Sequence, residues 1–301
     1  MNDSLDINNQ KVLLACLNWG KGHVARSIGL VHELLNQKNE VTIAGDTEQI
    51  AIFKSYFPKI KSIHLEKYPF LFSGNGNFSA DLWKSRKEIQ DFIQFETNWL
   101  EDFLKENEID IIISDHRYGF YSPKVKSIFV THQLNVALRW WQFPAQRIHH
   151  GLMQKFNEIW ILDTKDSELA GKLSRNRNSK NVKHIGHFSR FMFAEIKQNR
   201  ESMEVVICNG PEPYDEQLLL KYLDDSSKTI IAPVRLCEKY SHEKLIPSKD
   251  WLKCDETILT ATKIYAYCGY STLMDLKFLN CDSELFPTKG QNEQEYLARR
   301  I

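Results

Sequence analysis

Short, almost unbroken apolar runs alternate along this chain with longer stretches in which apolar residues recur every three or four positions. The first run, residues 11–17, ends in a glycine-containing loop. Residues 24–36 then set Val24, Ile28, Val31, Leu34 and Leu35 at helical spacing. Residues 40–44 supply the next strand, so the chain opens as strand, loop, helix and strand, the start of a parallel sheet. Further strands are expected at 60–65, 109–114, 127–131, 158–162 and 182–185, with a long helix over 82–106. Strands that are apolar throughout are buried on both faces, and ligands collect beyond their carboxyl ends.

The rhythm restarts after residues 189–203, which read as a bridge. Strands are expected at 205–208, 229–233, 263–267 and 284–286, and helices over 214–223, 272–279 and 291–300. The pattern predicts an α/β protein of two domains, 1–190 and 191–301. The second, at about a hundred residues, is small but viable when packed against a larger partner. No internal repeat or low-complexity tract interrupts the pattern.

Charge and cysteine usage narrow the classes. Lys and Arg number 39, as do Asp and Glu, so no global basic surface for nucleic acid is indicated. The six cysteines, at 16, 208, 237, 254, 268 and 281, form no CxxC pair and fall largely in apolar runs. They read as reduced, mostly buried thiols, with neither a disulfide framework nor a zinc knuckle. The polar, acidic start is not a signal peptide, and no stretch is long and apolar enough to span a membrane, so the expected location is the cytoplasm. Leu138, Arg139, Trp140, Trp141, Gln142, Phe143 and Pro144 combine arginine with aromatic rings, an edge suited to an acceptor or to peripheral contact at the inner face of a membrane. The plain alternative is a core stripe of Trp141, Ile148, Leu152 and Phe156. Between Ser174 and Arg200, seven Lys or Arg residues stand against one Glu. That stretch either attracts anionic lipid or a phosphorylated substrate, or is simply a solvated loop.

Two loops carry the strongest chemical signal. Asn18, Trp19, Gly20, Lys21, Gly22 and His23 join the first strand to the first helix; glycines permit a tight turn, and free helix N–H groups favour anions. The spacing is not GxGxxG, so a dinucleotide fingerprint is not indicated. His23 qualifies as a general base if a carboxylate orients its other nitrogen, and Asp115, at a strand end, is the chosen partner over Asp163. The bland reading is a histidine that only caps local backbone. Polar residues also follow two buried strands, in the runs from Ser114 to Gly119 and from Thr131 to Gln133, which include His116 and His132. A metal set of Asp115, His116 and His132 has no supporting spacing, so no metal is expected.

In the second half, Tyr267, Cys268, Gly269, Tyr270, Ser271 and Thr272 lead into a helix with Asp275 three residues on, on the same face as Thr272. This arrangement offers donors for phosphate and a carboxylate for a ribose diol. Gln291 and Gln294, also three apart, are expected to face the same pocket, the alternative being a capped helix with surface amides. Asn209, Gly210, Pro211, Glu212 and Pro213 follow the first strand of this half as a ligand loop or a plain strand-to-helix turn.

These residues resemble the GT-B group of nucleotide-sugar glycosyltransferases. The likeness is to the bacterial branch related to the lipid-linked N-acetylglucosaminyltransferase of peptidoglycan synthesis and to the UDP-glucuronosyltransferase-like enzymes. Gly20, Gly22 and His23 match the amino-terminal glycine-glycine-histidine loop, and Gly269, Thr272 and Asp275 the carboxyl-terminal glycine-threonine-acid pattern. Pro287, Gln291 and Gln294 match the following proline-to-glutamine loop. The resemblance implies two Rossmann-like domains facing across a cleft, the second one shortened because the chain ends at Ile301 soon after that loop. It implies transfer of a sugar from a nucleotide-sugar, a UDP-sugar by family weight, to an acceptor hydroxyl, with inversion and without metal or cofactor.

Carried over residue by residue, His23 and Asp115 would act on the acceptor. Gly210, Pro211, Gly269, Ser271, Thr272, Asp275, Gln291 and Gln294 would hold the donor, and Gly20, Gly22, His132 and Arg139 would lie on the acceptor side. The acceptor class stays open among lipid-linked intermediates, polysaccharide and small metabolites. Three positions depart from the pattern: Asp275 stands where Glu is usual, reaching about one methylene less far, and Tyr267 and Cys268 stand where relatives carry arginine or serine. A nucleotide-sugar epimerase and a non-catalytic nucleotide-sugar binder or scaffold remain as competing functions.

Overall fold

The computed structural model describes residues 5–70, 81, 83–137, 143–176, 180–196 and 202–301. The described residues gather into two compact units, one drawn from 1–71 and 82–190 and the other from 191–301 together with Asp81.

Seven strands form the sheet of the first unit: β1 (Lys11–Cys16), β2 (Glu40–Gly45), β3 (Lys61–His64), β4 (Ile111–Asp115), β5 (Lys126–Thr131), β6 (Glu158–Ile161) and β7 (Val182–His184). They lie in the order β3-β2-β1-β4-β5-β6-β7, and every pairing is parallel. Strand order reverses between β1 and β4, where Cys16 is in register with Asp115. Such a reversal splays the flanking loops apart and opens a crevice beyond the strand ends.

The helices of this unit are α1 (Gly22–Asn36), α2 (Thr47–Tyr56), α3 (Arg86–Glu106) and α4 (Phe143–Met153). Asp46 and Gln49 start α2 with a reciprocal capping box, a local signal that the periodicity reading passed over. The core stripe expected around Ile148 is corrected. Phe156 is buried as that stripe requires, but Ile148 is 64% exposed, because α4 turns the His149 and Met153 face inward. Leu138, Arg139, Trp140, Trp141 and Gln142 lie outside the described residues.

The second unit repeats the plan with five parallel strands, β8 (Glu204–Ile207), β9 (Lys228–Ala232), β10 (Leu245–Pro247), β11 (Lys263–Tyr267) and β12 (Asp282–Phe286), in the order β10-β9-β8-β11-β12. Its helices are α5 (Tyr214–Tyr222), α6 (Val234–Tyr240), α7 (Trp251–Thr260), α8 (Tyr270–Leu279) and α9 (Asn292–Ala298). Alternate strand residues enter opposite cores. Val206, Ile230 and Tyr265 pack with Leu218 and Leu236, while Val205, Ile231 and Ile264 pack with Cys254 and Ile258. Burial on both faces is the physical reason for the unbroken apolar runs. Here the strand order reverses between β8 and β11. Among the described residues, no helix is long and apolar enough to cross a membrane.

Candidate active site

In the first unit the site is built where β1 and β4 part. The loop after β1 turns through Gly20 at φ +75°, a conformation that favours glycine, and α1 begins with no side chain capping its first turn. This sets His23 in the first turn of α1, facing the end of β4. Asp115, the last residue of β4, is fully buried and lies with Oδ1 3.0 Å from His23 Nδ1. Nδ1 faces both this acceptor and, at 2.8 Å, the donor Arg26 Nη2; the tautomer with Nδ1–H donating to the carboxylate leaves the lone pair on Nε2.

A residue that sequence reasoning missed completes the cluster. Arg26 follows His23 by one helical turn and is 2% exposed. Its Nε donates to Asp115 Oδ2 at 2.7 Å, Nη2 donates to Oδ1, and Nη1 donates to His132 Nδ1 at 2.9 Å. His132, expected on the acceptor side, therefore joins the cluster through Arg26. Burial by itself would push the Asp115 carboxyl up; Arg26, then His23, overcome that and hold it well below the usual carboxylate range. Burial and then Arg26 lower the pKa of His23, against the opposing pull of Asp115.

The next residue, His116, turns the chain at φ +62° and stacks edge-on to His23 with 5.3 Å between ring centroids. Its Nε2 lies 2.6 Å from Thr131 Oγ1, and burial, followed by the proximity of His23 and Arg26, drives its pKa well below that of a free imidazole. Asp115, His116 and His132 do not form a metal set: no group of three His, Cys, Asp or Glu side chains among the described residues could hold an ion. Arg117, expected to be part of a polar binding loop, turns inward instead and pairs with Glu96 of α3 at 2.6 Å, both side chains fully buried. Asp163, the carboxylate passed over as partner, accepts from the amides of Thr164, Leu169 and Ala170, from Ser174 Oγ and from His187, so it organises its own loop.

In the second unit, the loops after β8 and β11 meet. Asn209 Oδ1 accepts from Tyr267 N at 2.8 Å, and Asn209 Nδ2 donates to Thr272 Oγ1 at 3.0 Å. Asn209 thus ties the two loops together, a role with no signature in sequence. Gly210 sits against Tyr267, whose hydroxyl donates to Tyr214 O at 2.8 Å. Pro211 O accepts from Tyr214 N at 2.7 Å, closing the turn into α5. Gly269 is the N-cap of α8, and no side chain caps that helix. Ser271 and Thr272 stand in its first turn, and Asp275 lies one turn further on.

Gln291 is the N-cap of α9. Gln294 donates to the Gln291 side chain at 2.7 Å and accepts from Thr288 N at 3.0 Å, so these two amides bond to each other and to their own loop. The Thr288 hydroxyl is fully buried and has no hydrogen-bond partner among the described residues. Cys268 is an interior thiol whose pKa burial pushes up to about 12.

Two parallel sheets, each flanked by helices and each with a strand-order reversal, make this a two-domain α/β protein of the GT-B-like fold. No protein-family model matches the chain, and no curated protein matches it in sequence. Solved structures do. Spinosyn rhamnosyltransferase SpnG aligns over 96% of this chain and 84% of its own at a TM-score of 0.61 and 12% identity. The glycotransferase of kitacinnamycin aligns over 97% and 85% at 0.60 and 12%. Arabidopsis thaliana UGT89C1 in complex with UDP-L-rhamnose aligns over 97% and 82% at 0.58 and 14%. The S. aureus MnaA–UDP structure is also similar, over 96% and 87% at 0.54 and 11%. At these identities the likeness is one of fold.

Proposed function

We propose that this chain is a glycosyltransferase that moves a sugar from a nucleotide-sugar, in the first instance a UDP-sugar, to an acceptor hydroxyl with inversion at the anomeric carbon. The observation that carries the reading is the His23–Asp115 pair, 3.0 Å apart at the strand-order reversal of the first sheet. In this reading His23 Nε2 takes the proton of the acceptor hydroxyl as its oxygen attacks the anomeric carbon, and the nucleoside diphosphate departs. Asp115 orients the ring and keeps the Nδ1 proton in place. In the second unit, the first-turn N–H groups of α8 and the loop at Gly210 receive the diphosphate, and Asp275 receives the ribose. UDP is favoured because two of the similar structures hold UDP or a UDP-sugar. The proposed transfer needs no metal, so chelation with EDTA is expected to leave the rate unchanged.

The test is calorimetric binding of UDP, GDP, dTDP and CMP, followed by a transfer assay across sugars and acceptors. His23→Ala is expected to lower kcat by about 10²- to 10⁴-fold while UDP binding is retained. Asp275→Ala is expected to weaken UDP binding about tenfold, roughly 1.4 kcal/mol. Failure of the folded wild type to bind any of these nucleotides would overturn the reading. Sugar interconversion without acceptor would redirect it to an epimerase, and binding without turnover to a scaffold.

A further inference from the structure

A histidine–carboxylate pair left to itself draws a proton onto the imidazole, because the anion stabilises the charged ring. Here the carboxylate is already engaged. Arg26 grips Asp115 with two donors, Nε on Oδ2 at 2.7 Å and Nη2 on Oδ1, and Ser27 Oγ adds a long contact to Oδ2 at 3.4 Å. Nη2 also lies 2.8 Å from His23 Nδ1, so a positive charge on that ring would stand beside a buried cation. The groups facing His23 are therefore Arg26 on its own helix, Asp115 and His116 at the end of β4, and His132 after β5. One anion and one cation cancel there, and no second carboxylate appears among them.

We propose that Arg26 is a positioning residue for the His23–Asp115 pair: its guanidinium locks the carboxylate in one orientation and offsets its charge, so that His23 meets the acceptor as a neutral imidazole with Nε2 open. This rests on the reading of His23 as the base and adds to it the residue that holds it in that form. Three observations fit together. The fork fixes the rotation of the Asp115 carboxylate, with Oδ1 3.0 Å from His23 Nδ1. The third arm, Nη1, donates to His132 Nδ1 at 2.9 Å, which anchors the guanidinium from its other side. Arg26 is 2% exposed, so water does not screen it. Burial is the largest cause of the lowered His23 pKa, and Arg26 adds to it against the pull of Asp115. A lysine cannot replace the fork, because one ammonium cannot span both carboxylate oxygens and His132 at fixed angles.

The experiment is a histidine NMR titration of the full chain in wild type, Arg26→Met and Arg26→Lys, with the His23 signal assigned by its loss in His23→Gln. In wild type, His23 is expected to stay neutral below the free-imidazole range, with its proton on Nδ1. In Arg26→Met its midpoint is expected to rise by about one unit or more, with Arg26→Lys in between. Where transfer is measurable, the acid limb of kcat/KM is expected to move up by the same amount. An unchanged His23 midpoint in folded Arg26→Met overturns the proposal. If that variant does not fold, Arg26→Lys decides alone, and a wild-type-like midpoint with an unchanged Nδ1-protonated tautomer overturns it. A purely structural role would lower stability and leave the midpoint where it was. If the midpoint shifts as expected but no variant transfers sugar, the proposed function fails and the assignment of Arg26 to the pair stands.

Discussion

A Cβ built on Gly210 would fall 2.7 Å from the Tyr267 ring, and that ring is pinned because its hydroxyl donates to Tyr214 O. Gly210→Ala therefore has to push the ring or the loop aside. It is expected to cost about 1–3 kcal/mol, the usual range for overpacking, measured by urea unfolding, with UDP binding weakened alongside. A variant as stable as wild type would mean that the loop moves freely and does not depend on close approach at this position. Single residues of this kind were partly legible. A glycine between a strand and a helix announces that its missing side chain matters, and a histidine after glycines announces exposed chemistry. Asn209 and Arg26 were not legible, because a polar side chain declares its partner only when strands 58 and 89 residues away come alongside.

Between elements, the buried pair of Glu96 on α3 and Arg117 after β4 does the joining. Arg117 Nε donates to Glu96 at 2.6 Å and Nη2 to Glu66 O at 2.8 Å, while Tyr68 OH donates to the same carboxylate. Burial raises the Glu96 pKa and Arg117 works against it. Glu96→Ala leaves a buried guanidinium without its counter-ion and is expected to cost about 3–5 kcal/mol. The paired change Glu96→Leu with Arg117→Met should recover much of that loss in the same urea assay. A loss below about 1 kcal/mol, the range of an exposed pair, would show that water reaches this pair. The helix carrying Glu96 was visible as a periodic stretch, but its inward carboxylate was not. The run from Ser114 to Gly119 looked uniformly polar in sequence; the turn at His116, φ +62°, sends Asp115 to the site and Arg117 to the interior.

For the molecule as a whole, neutral buried histidines set the response to acid. His149 donates from Nε2 to Gln133 O at 2.8 Å and accepts from Tyr118 OH at 2.7 Å, and burial lowers its pKa to about 4. His23 and His116 are lowered as well. An unfolded imidazole titrates near 6.5, so between that value and the folded ones the unfolded chain binds more protons, and stability falls as pH falls. His149 alone contributes about 3 kcal/mol across that window. The urea midpoint is thus expected to be highest at and above pH 7 and to drop steadily toward pH 4, with a shallower slope in His149→Gln; a midpoint constant over that range would count against neutral burial. The sequence by itself determined the alternation of strands and helices, the parallel sheets and the two glycine loops, because burial on both sheet faces and the needs of a tight turn act on neighbouring residues. Only the tertiary structure decided which loops meet, since the β1–β4 and β8–β11 adjacencies come from strand order. It alone made Arg26 the partner of Asp115 and turned Arg117 away, because hydrogen bonds and charges in a dry interior act between atoms a few ångströms apart, whatever their distance along the chain.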